Sequence, residues 1–378
     1  RPPAARYHPS GRCRADAGSG RRSGAMADAS EQSTALLFDA GTTSVRAAAI
    51  DTGPRGPRWL GCAEVPRLSR FREPAAALRS ALALLAQRIR RPQVAEPDAR
   101  ATRVLGIGCE DRDRPALEAS LAREASCVPG CAALAAAVSR LAVLDSRRVV
   151  AAGVGSAHVC LIEAGPDDEK SIETCVGGVG VGAGAVEIAR SAGVAALQRW
   201  MTADADETAL RNAIGNRRLW PEALPCEPVD LDVGQALARE ALRLALQAHR
   251  PSRAKSGSRV DDPWPRPSSA RPPLLIASGA VFHQTSRRGQ ALLTLLDGLR
   301  PAGACEVWLD TDGALPMLGL LAGPRTDLFD AVVRQDALLP LGTSVAPLAG
   351  GPRPDSYRGA RLRVMDVQFR ALGEGFTL

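Results

Sequence analysis

Ala35-Leu-Leu-Phe-Asp-Ala-Gly-Thr-Thr-Ser-Val-Arg-Ala-Ala-Ala-Ile-Asp51 decides the fold. Residues 35–40 read as a buried strand ending on an acid, Gly41 to Ser44 as a tight small-polar turn, and residues 45–51 as a second strand. A third strand is expected from Trp59 to Glu64, then a helix from Ala75 to Arg90 with one apolar face, then a strand over Val104 to Cys109. Further on the pattern returns. Val149 to Ala152, the turn Gly153-Val-Gly-Ser-Ala157 and His158 to Glu163 make a second hairpin, and Ser171 to Val176 is its third strand. Helices are expected at 115–124, 131–142, from Ala185, at 192–202, 206–215, 233–249, 290–298 and 314–322. Strands are expected at 274–277 and 306–309. A strand–turn–strand opening followed by helices, found twice, is the signature of an internal duplication.

The rest of the composition narrows the class. At 378 residues there is room for two lobes. Hydrophobic residues make up 45% and aromatic residues only 3%, so the cores are built from Ala, Leu and Val. No apolar run reaches the roughly 18 residues of a membrane span. The net charge of +7 comes from two segments. Residues 1–33 carry six Arg against Asp16, Asp28 and Glu31; residues 250–273 carry five Arg and Lys255 against Asp261 and Asp262. Both are Pro/Ser/Arg-rich without apolar period, so both are expected as solvated, disordered segments, and nucleic-acid binding is not expected. The stretch before Met26 reads as flanking sequence. The nine Cys show no CxxC pair, which fits buried free thiols in the reducing cytoplasm. Cys127 and Cys131 are close in sequence, with His158 or His283 as conceivable partners, but no known zinc spacing is present.

The chemistry resides in turns. Gly41 lets backbone N–H groups approach phosphate oxygens, Thr42 and Thr43 add hydroxyls, and Asp39 at the strand end can orient Mg²⁺. An ordinary hairpin turn has the same composition. Gly153, Gly155 and Ser156 form a second anion-friendly turn, and Ser278-Gly279-Ala280 a third. Three such turns in this order resemble the phosphate-1, phosphate-2 and adenosine segments of the actin, Hsp70 and sugar-kinase superfamily.

A closer resemblance covers roughly residues 35–50 and 147–350. Leu274 to Asp297, Pro316-Met-Leu-Gly319, Val179-Gly-Val-Gly-Ala-Gly184, Arg211 to Pro221, Gln235 to Leu246 and Leu339 to Pro347 are similar to the glutamate-mutase-associated MutL (GlmL) family. The resemblance implies an α/β, duplicated actin-like (ribonuclease H-like) ATPase fold, two lobes with a nucleotide cleft between them. It divides the chain into a first lobe at 34–146, a second at 147–330 containing the linker 250–273, and a β-rich tail at 331–378 that reads as cut short beside the family's final stretch. It also implies ATP and Mg²⁺ as cofactors, and an adenosylcobalamin-dependent mutase as partner.

The implied nucleotide site is Asp39, Gly41, Thr42, Thr43, Gly153, Gly155, Ser156, Ser278 and Gly279, with Asp39 on the metal. Two departures stand against it. Gly153 occupies the position of the family's first phosphate-2 Asp, and Gly279-Ala280 replaces its Gly-Gly. Hydrolysis is therefore in doubt and no catalytic residue is assigned. Glu110-Asp111-Arg112-Asp113 is a candidate source of a replacement acid, against a solvated loop. His158 is either a phosphate ligand or scaffold, and Arg46 either reaches phosphate or faces a sheet edge structurally. A carbohydrate kinase of the same superfamily and a degenerate, non-hydrolysing scaffold remain the alternative functions.

Overall fold

The computed structural model describes residues 34–67, 74–95, 102–109, 115, 127–202, 206–258, 264–266 and 271–346. The expected opening forms as β1 (Thr34–Ala40), β2 (Ser44–Asp51) and β3 (Arg58–Pro66), followed by α1 (Pro74–Ile89) and β4 (Thr102–Cys109). A short β5 (Cys127–Val128) leads into α2 (Gly130–Asp145). These five strands make one sheet in the order β3-β2-β1-β4-β5. β1 runs antiparallel to β2 and parallel to β4.

The same pattern returns in β6 (Val149–Val154), β7 (His158–Ala164), β8 (Ile172–Gly177), β9 (Leu274–Ser278) and β10 (Gly303–Asp310). Their order across the second sheet is β10-β9-β6-β7-β8, with β11 (Leu338–Ala346) added antiparallel beyond β10. β6 pairs antiparallel with β7 and parallel with β9, as β1 does with β2 and β4. The two sheets thus repeat one topology, and the chain has the duplicated, two-lobed α/β actin-like fold. Between β8 and β9 lie α3 (Ala185–Ala192), α4 (Val194–Gln198), α5 (Glu207–Leu219) and α6 (Pro228–Lys255). After β9 come α7 (Ala280–His283) and α8 (Arg288–Leu299), and after β10 come α9 (Ala314–Gly319) and α10 (Thr326–Val332).

Strand alternation sorts the core into layers. In β1, Leu36, Phe38 and Ala40 pack toward α1, whereas Ala35 and Leu37 join a middle layer with α2, α9 and α10. In β6 and β9, Val149, Ala151, Leu274 and Ile276 face that middle layer, and Val150, Ala152, Leu275 and Ala277 face α6 and α8. Strands covered on both faces read as continuous apolar runs, which explains the sequence signal. In the middle layer α2 and α9 cross so closely that a Cβ at Gly319 would overlap the carbonyl of Ala133.

Two expectations need correction. The segment 250–273 is not a solvated linker throughout, since α6 continues past Pro251 to Lys255. Arg253 is buried 3.0 Å from the carboxylate of Glu163, which also accepts from Trp264 Nε1 at 3.2 Å and pairs with Arg148 at 3.2 Å. The basic residues counted as solvated charge are partly there to neutralise one buried acid. Residues 259–263 and 267–270 lie outside the described residues, as do 1–33, 110–114, 116–126 and 347–378. The expectation of free thiols throughout also fails, because Cys160 of β7 is joined in a disulfide to Cys175 opposite it in β8. Among the described residues no helix is long and apolar enough to cross a membrane.

Candidate functional site

Both hairpin tips and the turn after β9 open on the same side, where β1, β6 and β9 end. In open α/β sheets, ligand crevices form at the carboxyl ends of strands. There the protein has a cavity of about 400 Å³, and all nine residues of the expected site line it: Asp39, Gly41, Thr42, Thr43, Gly153, Gly155, Ser156, Ser278 and Gly279.

The first tip is braced from behind. Arg67 donates its backbone N–H to Thr43 O at 2.7 Å and a guanidinium N–H to Gly41 O at 3.4 Å. The second tip is held by the Gly-rich strip 177–184. Val181 N–H donates to Gly155 O at 3.0 Å, Gly182 and Gly184 N–H each to Ser156 O at 3.0 Å, and Ala183 N–H to Ser156 Oγ at 3.1 Å. A Cβ at Gly180 would overlap the backbone carbonyl of Ser156, so the strip can lie this close only as glycine there. Because Ser156 Oγ accepts from Ala183, its own proton remains to be donated. Gly279 has φ 118°, and a Cβ there would overlap Val154 O, which fixes the third turn against the second hairpin.

The Ser278 hydroxyl is committed elsewhere. It donates at 2.7 Å to Asp310, a fully buried acid at the end of β10 that also accepts from Ala314 N–H at 2.7 Å and Leu315 N–H at 3.2 Å. Burial raises the Asp310 carboxyl, against the lowering effect of these donors and of Arg46. The expected strand 306–309 stopped one residue short of it.

Charge at the first hairpin is organised across three strands. Asp39, Arg46 and Glu64 are cross-strand partners on β1, β2 and β3. Arg46 lies 3.9 Å from the Asp39 carboxylate and 3.7 Å from Glu64. Burial raises Asp39, with Arg46 opposing. Glu64 is held down at about 2, because the His283 hydrogen bond, Arg46 and Ser44 outweigh its burial. Of the two readings of Arg46, the sheet edge fails because β2 is an inner strand; Arg46 lines the cavity and is tied to two carboxylates.

The donors present suit a nucleotide better than they suit the metal. A volume of this size is within the range of small-molecule sites. Gln235 of α6 also lines it, 6% exposed, and its amide Nε2 has no hydrogen-bond partner, an unmet donor of the kind a base or ribose satisfies. For Mg²⁺ the cavity offers Asp39, which is paired to Arg46, and no acid at Gly153. A Cβ at Gly153 would stand 3.1 Å from Leu134 Cδ2 of α2, so an acid there would require that side chain to give by a few tenths of an ångström. His158 lines the same wall, its ring against Gly155, and Glu110 to Asp113 lie outside the described residues.

The sequence model of the MutL protein family matches residues 148–337, from the second hairpin to the end of α10 and the turn beyond. The chain belongs to the MutL family. The matched span holds the Gly153–Ser156 and Ser278–Gly279 turns, while Asp39 and the first hairpin precede it. No curated protein sequence matches the chain. Solved structures similar to this MutL-family chain include component A of (R)-2-hydroxyglutaryl-CoA dehydratase from Acidaminococcus fermentans, at 12% identity over 77% of this chain and 97% of that one, TM-score 0.41. The activator of 2-hydroxyisocaproyl-CoA dehydratase from Clostridium difficile, with bound ADPNP, is 9% identical over 76% and 93%, TM-score 0.42. The ROK hexokinase from Thermus thermophilus is 16% identical over 78% and 97%, TM-score 0.35.

Proposed function

We propose that this MutL-family protein is an actin-like nucleotide-binding accessory protein that takes ATP in the interlobe cavity and acts in the cytoplasm on an adenosylcobalamin-dependent mutase. One observation carries the reading: three turns far apart in sequence supply nine small, polar or acidic residues to one cavity. Gly41, Thr42, Thr43, Gly155 and Ser156 would hold phosphate, Gly279 would lie against the nucleoside, and Asp39 would hold Mg²⁺ once the ion displaced Arg46 from it. Bound Mg²⁺ would supply charge neutralisation at the phosphates. Occupancy would bias how the lobes close and so which surface meets the partner.

Fast hydrolysis is not part of the proposal. The carboxylates lining the cavity among the described residues are Asp39, Glu64 and Asp230. Asp39 and Glu64 share Arg46, and Asp230 caps α6. Each is therefore already engaged within the protein. A non-hydrolysing scaffold is the second reading, and the glycine at 153, where the family's phosphate-2 segment has an acid, is the observation that favours it. Calorimetric titration of ATP into the protein, with Mg²⁺ and with EDTA, separates the two. Mg²⁺-dependent binding supports the switch, and absence of binding in both supports the scaffold.

A further inference from the structure

The nucleotide reading leaves part of the cavity wall unused. Cys131 is the second residue of α2, while His158 and Cys160 stand two apart on β7 and so share one face of that strand. The first turn of α2 is laid against that face. The sulfurs of Cys131 and Cys160 are 2.8 Å apart, and one donor atom from each of the three residues lies within 4.8 Å of the others. Among the described residues no other group of three His, Cys, Asp or Glu side chains meets that spacing. All three line the cavity, Cys160 almost wholly buried and the other two half-buried.

We infer that Cys131, His158 and Cys160 form a binding site for a zinc-like tetrahedral cation in the reduced protein, with the fourth position open to the cavity. Two thiolates and an imidazole are the donors that select such an ion over Mg²⁺. Zinc bond lengths put the edges of such a tetrahedron at about 3.5–3.8 Å. The sulfurs would part by roughly 1 Å to admit the ion. Each thiol gives up its proton on binding.

The site is opposed by the disulfide. Cys160 serves either Cys175 or the metal, so a reductant that adds two electrons and two protons to Cys160–Cys175 opens the site and oxidation closes it. The inference is independent of whether ATP binds.

Titrating Co²⁺ into the full chain, reduced with a phosphine under argon, tests it. We expect one equivalent bound with strong tetrahedral d–d bands and a thiolate charge-transfer band, both bleached by Zn²⁺. The Cys131→Ser and Cys160→Ser variants should bind about 100-fold more weakly or not at all, and His158→Ala should shift the d–d bands. The oxidised wild type should not bind, and Cys175→Ser, at an exposed position outside the donor set, should bind like the reduced wild type when treated with the same reductant. Far-ultraviolet dichroism keeps a folding defect distinct from ligand loss. Weak octahedral bands alone in the reduced wild type would overturn the inference, as would undiminished binding by folded Cys131→Ser or loss of binding in folded Cys175→Ser.

Discussion

Arg46 Nη1 donates to the carbonyl oxygen of Gly313 at 3.2 Å, joining residues 267 positions apart and tying β2 of the first sheet to the loop after β10 of the second. The same guanidinium lies beside Asp39 and Glu64, and its charge also reaches Asp310. Removing it would leave these acids uncompensated in a mostly buried setting. Arg46→Met is therefore expected to lower stability by about 3 kcal/mol, read by urea denaturation.

The raised Asp39 gives the metal dependence a pH signature. Mg²⁺ needs the carboxylate ionised, and a proton competes for it. The ratio of ATP affinities with Mg²⁺ and with EDTA should shrink as pH falls, at a pH above the ordinary carboxylate range. Asp39→Asn should show the small ratio at every pH. Calorimetry across a buffer series reads both outcomes.

Glu64 works in the opposite sense. Its folded value of about 2 lies below the ordinary 4.5, so its contribution is present above pH 4.5 and is lost as pH falls toward 2. The glutamate is partly exposed, which limits the effect to about 2 kcal/mol. Glu64→Gln should flatten the acid limb of the stability curve by that amount, measured by denaturant midpoints between pH 6 and 3.

Gln235 predicts effects of opposite sign. Its buried amide Nε2 has no partner within the protein and would gain one from a ligand in the cavity. Gln235→Leu should raise ligand-free stability by about 1 kcal/mol and weaken ATP binding about fivefold. Thermal melts with and without ATP read both numbers.

The third turn tests the cavity through its backbone. At Gly279 an alanine meets both a positive φ and the carbonyl of Val154. Gly279→Ala should cost about 2 kcal/mol and push β9 from the second hairpin. ATP affinity should fall at least tenfold by calorimetry.

What the sequence made legible was local. The hairpins around Gly41 and Gly155 were readable because glycine and hydroxyls between two apolar runs have one economical arrangement, and the duplication followed from seeing it twice. What it hid was pairing at a distance. Nothing near Arg253 in the chain announces Glu163, so a basic run read as solvated charge where the fold uses it to neutralise a buried acid. Arg46 gave no sign of Gly313 for the same reason. Cys131, His158 and Cys160 come together only because α2 is laid along β7, a relationship that spacing within a segment cannot express.

The contact of Gly319 with Ala133 bears on how the molecule can move. Two helices meeting backbone to backbone have no long side chains between them to yield, and the layer around them belongs to both sheets. The crossing is therefore the least compliant point between the two sheets. A turn of the lobes about it would change the gape of the cleft at its rim while leaving the middle layer packed.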